Sequence, residues 1–348
     1  MLSIACDMSL DRILGTLIDH ELLDTVATIR IGADEELLAC LPFLERCLSM
    51  RNLELVNPRA SSLQDPIPPS HALTRLQCLT VSFGFDPLPP YADFIVLLRM
   101  LPLLKTLRVF CTTFLAFADS SDDMNLSNRL NLPLVEYHAR GMYPGCHLPI
   151  LAARMTLRTL YLTAMSLSPA FLVPHALGPG MEYSTPRGQT IVRESRQIFD
   201  ALILVAPRLH TLFISAHRWS QMYNNPETSH LLHLVPIFSA FRELRYLYLS
   251  VQLDTDPEMD ELAELLGAMT CALHELRLYF EPLLGRVRHI AAAADILHTL
   301  VCLHRLRTVV VVIRPQQNDN DALEAAFQPF REFCRPRRVK FRGIVLSQ

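Results

Sequence analysis

The sequence predicts an α/β solenoid: helix–strand units stacked in chain order around one interior, with a parallel inner sheet and outer helices. Three observations predict it. An apolar phrase recurs along nearly the whole chain. Each copy ends in a period-two alternation. Between copies the apolar period becomes helical.

The phrase is an apolar residue, two residues of any type, a second apolar residue, one residue of any type and a third apolar residue. Strong copies are Leu76/Leu79/Val81, Leu104/Leu107/Val109, Leu157/Leu160/Leu162, Leu209/Leu212/Ile214, Leu244/Leu247/Leu249, Leu273/Leu276/Leu278 and Leu306/Val309/Val311. Weaker ones are Val26/Ile29/Ile31, Met50/Leu53/Leu55, Leu132/Val135/Tyr137 and the partial Val339/Phe341. The closing alternation points two side chains to one face of a short strand. Helical faces follow at Phe94, Leu97, Leu98 and Leu101, at Met259, Leu262, Leu266 and Met269, and at Ile290, Ala293, Ala294, Leu297 and Val301. Asp256 and Pro257 supply a helix cap followed by proline at the first helical position. A single unit of this size cannot bury its own apolar face, so the units must stack.

A doubly wound α/β domain also alternates helix and strand. The strands here are very short, the phrase starts ahead of the strand, and no glycine-rich strand-to-helix turn appears, all of which favour the solenoid. Residues 1–348 read as one array of about ten to eleven irregular repeats. Copies are 24 to 35 residues apart, except for a step of 52 between Leu160 and Leu212, which marks a degenerate repeat or a long insertion. Residues 164–192, rich in proline and glycine, read as a loop insertion, and residues 57–72 and 115–129 as solvated connections. The segment from Ser9 to Leu23, with Leu10, Ile13, Leu14, Leu17 and Ile18 on one face, reads as the first outer helix. Arg335, Arg337, Arg338, Lys340 and Arg342 read as a charged terminal repeat that keeps the last sheet edge from pairing.

Half of the 348 residues are hydrophobic, yet no run of about 18 apolar residues exists. The nearest stretch, Ile290 to Ile313, is broken by Asp295, His298, His304, Arg305 and Arg307. No membrane span is expected. A formal charge of −3 points away from a nucleic-acid groove or an anionic membrane, although a local patch is compatible with a near-neutral total. The nine cysteines include no C-x-x-C pair, so they read as reduced, mostly buried thiols rather than disulfides or a zinc site. The start of the chain has no basic segment and Asp7 interrupts its apolar stretch, which does not read as a signal peptide. A cytoplasmic or nuclear location follows as an expectation.

The phrase L-x-x-L-x-L is the core of the leucine-rich repeat, and the chain resembles that class over nearly its full length. Irregular repeats of this style are similar to the leucine-rich portions of fungal F-box proteins. The resemblance implies a horseshoe with a recognition surface on its inner sheet. Two departures qualify it. Three residues after the last leucine, where the repeat consensus has asparagine, stand Gly84, Thr112, Met165, His217, Gln252, Glu281 and Arg314, so no asparagine ladder can form. No F-box is recognisable, since its tryptophan-bearing helix would lie near the start of the chain and the single tryptophan is Trp219. Docking to the ubiquitin-ligase adaptor is therefore implied only if a diverged or missing F-box is supplied.

Outward-pointing positions carry the functional expectation. The middle residues of the phrase are Glu54, Thr80, Arg108, Glu136, Tyr161, Phe213, Tyr248, Arg277 and Val310, with Phe110, Tyr246 and Tyr279 beside them. Arg108, Phe110, Tyr161, Phe213, Tyr246, Tyr248, Arg277 and Tyr279 are the candidate partner-binding residues, because tyrosine, phenylalanine and arginine dominate interface hot spots. The same types also favour strands and pack on one another.

A search for chemistry yields no catalytic, cofactor-binding or metal residues. His230 and His233 are three apart but lack the carboxylate spacing of a zinc protease. No phosphate loop or nucleophile elbow appears, and Cys111 has no basic neighbour in sequence to activate it. The expected function is protein–protein recognition without a cofactor, as the substrate-binding part of an F-box-like ubiquitin-ligase receptor. The alternatives are a regulator that clamps a partner's catalytic domain and an α/β enzyme with an unrecognised site.

Overall fold

A computed structural model of the chain describes residues 2–6, 23–32, 37–58, 70–83, 91–111, 131–141, 145–165, 186–216, 234–251, 256–280, 293–298, 303–313 and 320–346. The chain divides into two compact units, Met1–Leu157 and Arg158–Gln348. The first holds strands β1 (Leu2–Cys6), β2 (Val26–Ile31), β3 (Asn52–Val56), β4 (Cys78–Phe83), β5 (Thr106–Cys111) and β6 (Glu136–Arg140). The second holds β7 (Thr159–Met165), β8 (Thr211–Ala216), β9 (Tyr246–Val251), β10 (Glu275–Phe280), β11 (Thr308–Ile313) and β12 (Lys340–Val345). Within each unit the strands pair in parallel and in chain order.

The leucine phrase determines which face is buried. In the first unit Leu53, Leu79, Leu107 and Tyr137 stand side by side, as do Leu55, Val81, Val109 and Ala139. In the second, Leu160, Leu212, Leu247, Leu276, Val309 and Phe341 form one column. The column residues from β3 to β11 are buried, each worth about 1.5–3 kcal/mol of transfer free energy for a leucine-sized side chain. Alternate residues of β3, β4, β5 and β10 remain half-buried, so in these strands one sheet face is covered and the other is partly accessible.

Helices cover the buried face. In the first unit they are Leu37–Arg46, His71–Thr74, Tyr91–Arg99 and Leu148–Ala152. In the second they are Pro186–Val205, Val235–Ala240, Asp256–Gly267, residues 293–298 and Asn320–Cys334. Phe94, Leu97, Leu98 and Leu101 are all buried, as are Leu262, Leu266, Met269, Ala293, Ala294 and Leu297. The architecture in each unit is the expected solenoid of stacked helix–strand repeats.

A backbone ladder fixes the register. The carbonyl of Arg51 accepts from the N–H groups of both Gln77 and Cys78, at 2.8 and 3.0 Å. Gln77 does the same for Lys105 and Thr106, and Lys105 for Val135 and Glu136. In the second unit Arg158, His210, Arg245 and His274 each accept two N–H groups from the repeat that follows, at 2.8–3.1 Å. Both lone pairs of each carbonyl are used ahead of the strand, with no side chain involved.

Several expectations are refined. The phrase at β6 is Leu134/Tyr137/Ala139, two residues later than the sequence suggests: Val135 is exposed, whereas Tyr137 and Ala139 are buried. His138 rather than Glu136 is therefore the residue in register with Arg108. Tyr137 can occupy a leucine position because its hydroxyl donates to the Cys146 carbonyl at 3.1 Å. Strand β7 pairs directly with β8, Leu160 opposite Leu212, so no strand lies between them in the sheet. The helix Pro186–Val205 begins inside the segment 164–192, and residues 166–185 lie outside the described residues. Ser70 caps the turn His71–Thr74, accepting from the Leu73 N–H, at the end of the segment 57–72. Strand β1 is an additional element. Residues 7–22, most of the expected first helix, and residues 115–129 fall outside the described residues.

The last helix, Asn320–Cys334, closes over β12. Phe327 and Phe330 pack on Phe341 with ring centroids 5.8 and 6.2 Å away. A side chain at Gly343 would meet the Phe327 ring at 2.9 Å, so this close approach depends on the glycine. Lys340 and Arg342 of β12 are exposed.

Two substitutions test this construction by urea unfolding. Leu276→Ala removes a central column residue and lowers stability by about 2–5 kcal/mol. Gly141, with φ +80°, follows β6, and an added Cβ would run into the Cys111 carbonyl oxygen. Gly141→Ala lowers stability by on the order of 1–3 kcal/mol, a cost that a mere loss of chain flexibility would reverse in sign.

Candidate protein-recognition surface

The open sheet face differs in chemistry between the two units. In the first, short polar and charged side chains alternate with the buried columns. Asn52 donates to the Thr28 hydroxyl at 3.0 Å, and Arg30 lies 3.7 Å from Glu54. Arg108 lies 3.5 Å from Glu136, whose carboxylate also meets His138 at 2.5 Å. Burial holds the His138 pKa below the ordinary histidine value, against the opposing pull of Glu136. Phe110, also half-buried, stands in register with Ser82 and Arg140. Partly exposed pairs of this kind contribute about 0–1 kcal/mol each.

In the second unit the same positions carry rings. Tyr161, Phe213, Tyr248 and Arg277 occupy one register row on β7, β8, β9 and β10. Phe213 is the hub: it stacks on Tyr161 at 6.0 Å, tilts against Tyr248 at 6.3 Å and meets Tyr279 edge-on at 5.4 Å. Phe213 and Tyr279 meet across β9, where Ser250 is in register with Tyr279 and its small side chain is buried. Arg277 lies over the Tyr248 ring at 4.6 Å, donates to Glu275 at 3.1 Å and reaches the Tyr279 hydroxyl at 3.4 Å. Burial and the adjacent Glu275 carboxylate push the Tyr248 pKa up to about 12, so its hydroxyl stays protonated at neutral pH. Tyr161, Phe213, Tyr248, Arg277 and Tyr279 are half-buried, and Tyr246, at 38 % exposure, is the most open of the rings.

Of the eight residues singled out in the sequence, five thus form one contiguous cluster. Tyr246 stands at the start of β9 with its ring 6.4 Å from His274. Arg108 and Phe110 belong to the first unit. The aromatic patch ends at β11, where Val310 and Val312 are buried although they are in register with Arg277 and Tyr279.

The sequence reading missed a second row. The residue just ahead of each strand from β7 to β11 is Arg158, His210, Arg245, His274 and Arg307. The signal was present in LRTL, LHTL, LRYL, LHEL and LRTV, where the residue after the first leucine is arginine or histidine in every copy. Glu243 holds the first two members, at 3.1 Å from Arg158 and 2.9 Å from His210. His274 is flanked by cations: burial, then Arg307, Arg245 and Arg305, lower its pKa.

Among the described residues, no three His, Cys, Asp or Glu side chains converge as metal ligands. His230 and His233 lie outside the described residues. Cys40, Cys47, Cys111, Cys146, Cys271 and Cys334 are free, buried thiols, and Cys78 is a free, half-buried one. Burial pushes the Cys334 thiol up to about 11. No described helix is long and apolar enough to cross a membrane. No protein-family model matches the chain, and no curated protein matches it.

The histidine in the cationic row gives a direct check. His274 binds a proton less readily folded than unfolded, so its contribution to stability is full above the ordinary histidine pKa and is lost as pH falls. An NMR titration places its midpoint below that of a free histidine. Substituting Arg245→Gln together with Arg307→Gln moves the midpoint upward, and an unmoved midpoint would show that burial alone sets it.

Proposed function

We propose that the chain is a protein-recognition module whose binding face is the aromatic sheet surface of the second unit. The observation that carries the reading is the contiguous, half-buried cluster of Tyr161, Phe213, Tyr248, Arg277 and Tyr279 on the sheet face opposite the helices. Rings already held by one another lose little rotamer freedom on binding, and their half-buried surface is apolar with polar tips. That combination is what the energetic centre of a protein interface requires. The reading places the protein in the cytoplasm or nucleus, where its buried free thiols stay reduced.

The resemblance to the repeats of fungal F-box proteins extends this reading to a substrate receptor for a ubiquitin ligase, with the F-box supplied separately. Co-purification with the ligase adaptor supports that extension. A partner captured without the adaptor favours the clamping regulator instead.

The test is affinity capture with quantitative mass spectrometry, comparing the unmodified chain with the triple variant Tyr161→Ala, Phe213→Ala, Tyr248→Ala. The variant is expected to unfold cooperatively and to lose its specifically captured partner, since each central ring removed costs on the order of 2 kcal/mol of binding. Equal capture by both proteins defeats the proposal.

A further inference from the structure

Charge is segregated in the second unit. Residues 158, 206–210, 241–245, 268–274, 303–307 and 335–339, which lead into β7–β12, carry nine arginines and one carboxylate, Glu243. Those segments sum to +8, counting histidine neutral, so the remainder of the chain sums to −3 − 8 = −11. At the very start of the strands the backbone ladder places one residue per strand, about 4.8 Å apart. The row from Arg158 to Arg307 therefore spans about 19 Å along one edge of the sheet.

Part of this basicity serves the fold. Helix C-termini carry partial negative charge and favour nearby cations. Arg158 donates to the Arg208 carbonyl at 3.0 Å, and Arg337 to the Phe333 carbonyl at 3.1 Å. That account does not reach Arg245, Arg305 and Arg307. All three are exposed, and among the described residues no carboxylate pairs with them.

We propose that this edge of the second unit receives an acidic, extended peptide segment of a protein partner, whose carboxylates engage Arg245, Arg305 and Arg307. The proposal rests on the recognition reading above and names the chemistry of the partner. Carboxylate is the anion this surface already uses: Glu243 bonds Arg158 and His210, and Glu275 bonds Arg277 beside the rings. Arginine forks donate two parallel N–H bonds to a carboxylate, which a row of lysines would not do. Tyr246 and His274 join the row to the aromatic face, so a segment with alternating acidic and aromatic residues contacts both. A single-stranded nucleic acid is a poorer match, because it needs free ring faces on which bases stack. Here Tyr161 and Phe213 stack on each other and Tyr248 is covered by Arg277.

The test uses the full chain and a fluorescent peptide of alternating glutamate and tyrosine about eight residues long, enough to span the row at roughly 3.4 Å per residue. The controls are the matching lysine–tyrosine peptide and an oligothymidylate. The expected result is saturable binding of the acidic peptide alone, weakened by salt and at least about tenfold by combining R245Q, R305Q and R307Q. An unchanged thermal midpoint shows that this variant remains folded. Equal affinity of the charge variant, no binding of the acidic peptide, or tighter binding of the oligothymidylate each overturns the inference. The two readings fail separately. If the partner captured by the unmodified chain is lost with the ring variant and kept with the charge variant, recognition stands and the acidic segment falls. If both variants keep it, both readings fall.

Discussion

In this fold two N–H groups from one repeat share a carbonyl oxygen of the repeat before it, just ahead of β4, β5, β6 and β8–β11, and the register of those repeats depends on that shared acceptor. A slip of one residue would exchange the faces of a strand and turn its leucines to solvent. Because the ladder repeats from Arg51 to Lys105 and again from Arg158 to His274, the column headed by Leu53 stays in register within the first unit and that headed by Leu160 within the second. The bonds are entirely main-chain. They hold the repeats together without the asparagines that the leucine-rich consensus uses, and they put no demand on the side chain of the accepting residue.

That freedom explains where the chemistry of the surface resides. Inward positions are restricted to apolar side chains, with Tyr137 admitted because its hydroxyl finds the Cys146 carbonyl. Outward positions are unrestricted, and the units use them differently. The first fills them with pairs such as Arg30 with Glu54, which water and salt weaken. The second fills them with rings that contact one another at 5.4–6.3 Å, an arrangement contributing about 0.5–1.5 kcal/mol per pair beyond area burial. Such a face is ordered before any partner arrives, and the small, buried Ser250 in register with Tyr279 on the intervening strand is part of that order.

The fold was legible because the leucine phrase reports both a period and a face. Strands β3–β5 and β7–β11 are found where the strong copies and Met50/Leu53/Leu55 place them. The phrase became ambiguous where apolar residues were too many or too small. At β6, Leu132/Val135/Tyr137 fits as well as Leu134/Tyr137/Ala139, and only pairing with Leu107 and Val109 decides between them. Strand β1 fits the phrase as Met1/Ile4/Cys6, a copy without leucine at any of its three positions, with Ile4 and Cys6 in register with Ile29 and Ile31. The ring cluster was legible by residue type, but not its hub, since the contact between Phe213 and Tyr279 joins strands 2 positions apart in the sheet. The cationic row escaped notice because each member is a single charge beside a leucine, which in isolation reads as ordinary solvation.

Net charge is a poor guide to the surface of a repeat protein for the same reason. A total of −3 averages over the whole chain, whereas a charge in physiological salt acts over about 8 Å. Neighbours in the row, one strand apart at about 4.8 Å, lie within that distance and act together on a ligand. A carboxylate more than a screening length away does not cancel them. The response of His274 to Arg245 and Arg307, one strand to either side, is the local expression of that summation. A stacked array converts a recurring residue in the sequence into a line of like charge in space, so the relevant quantity is the charge per repeat at a fixed position rather than the sum over the chain.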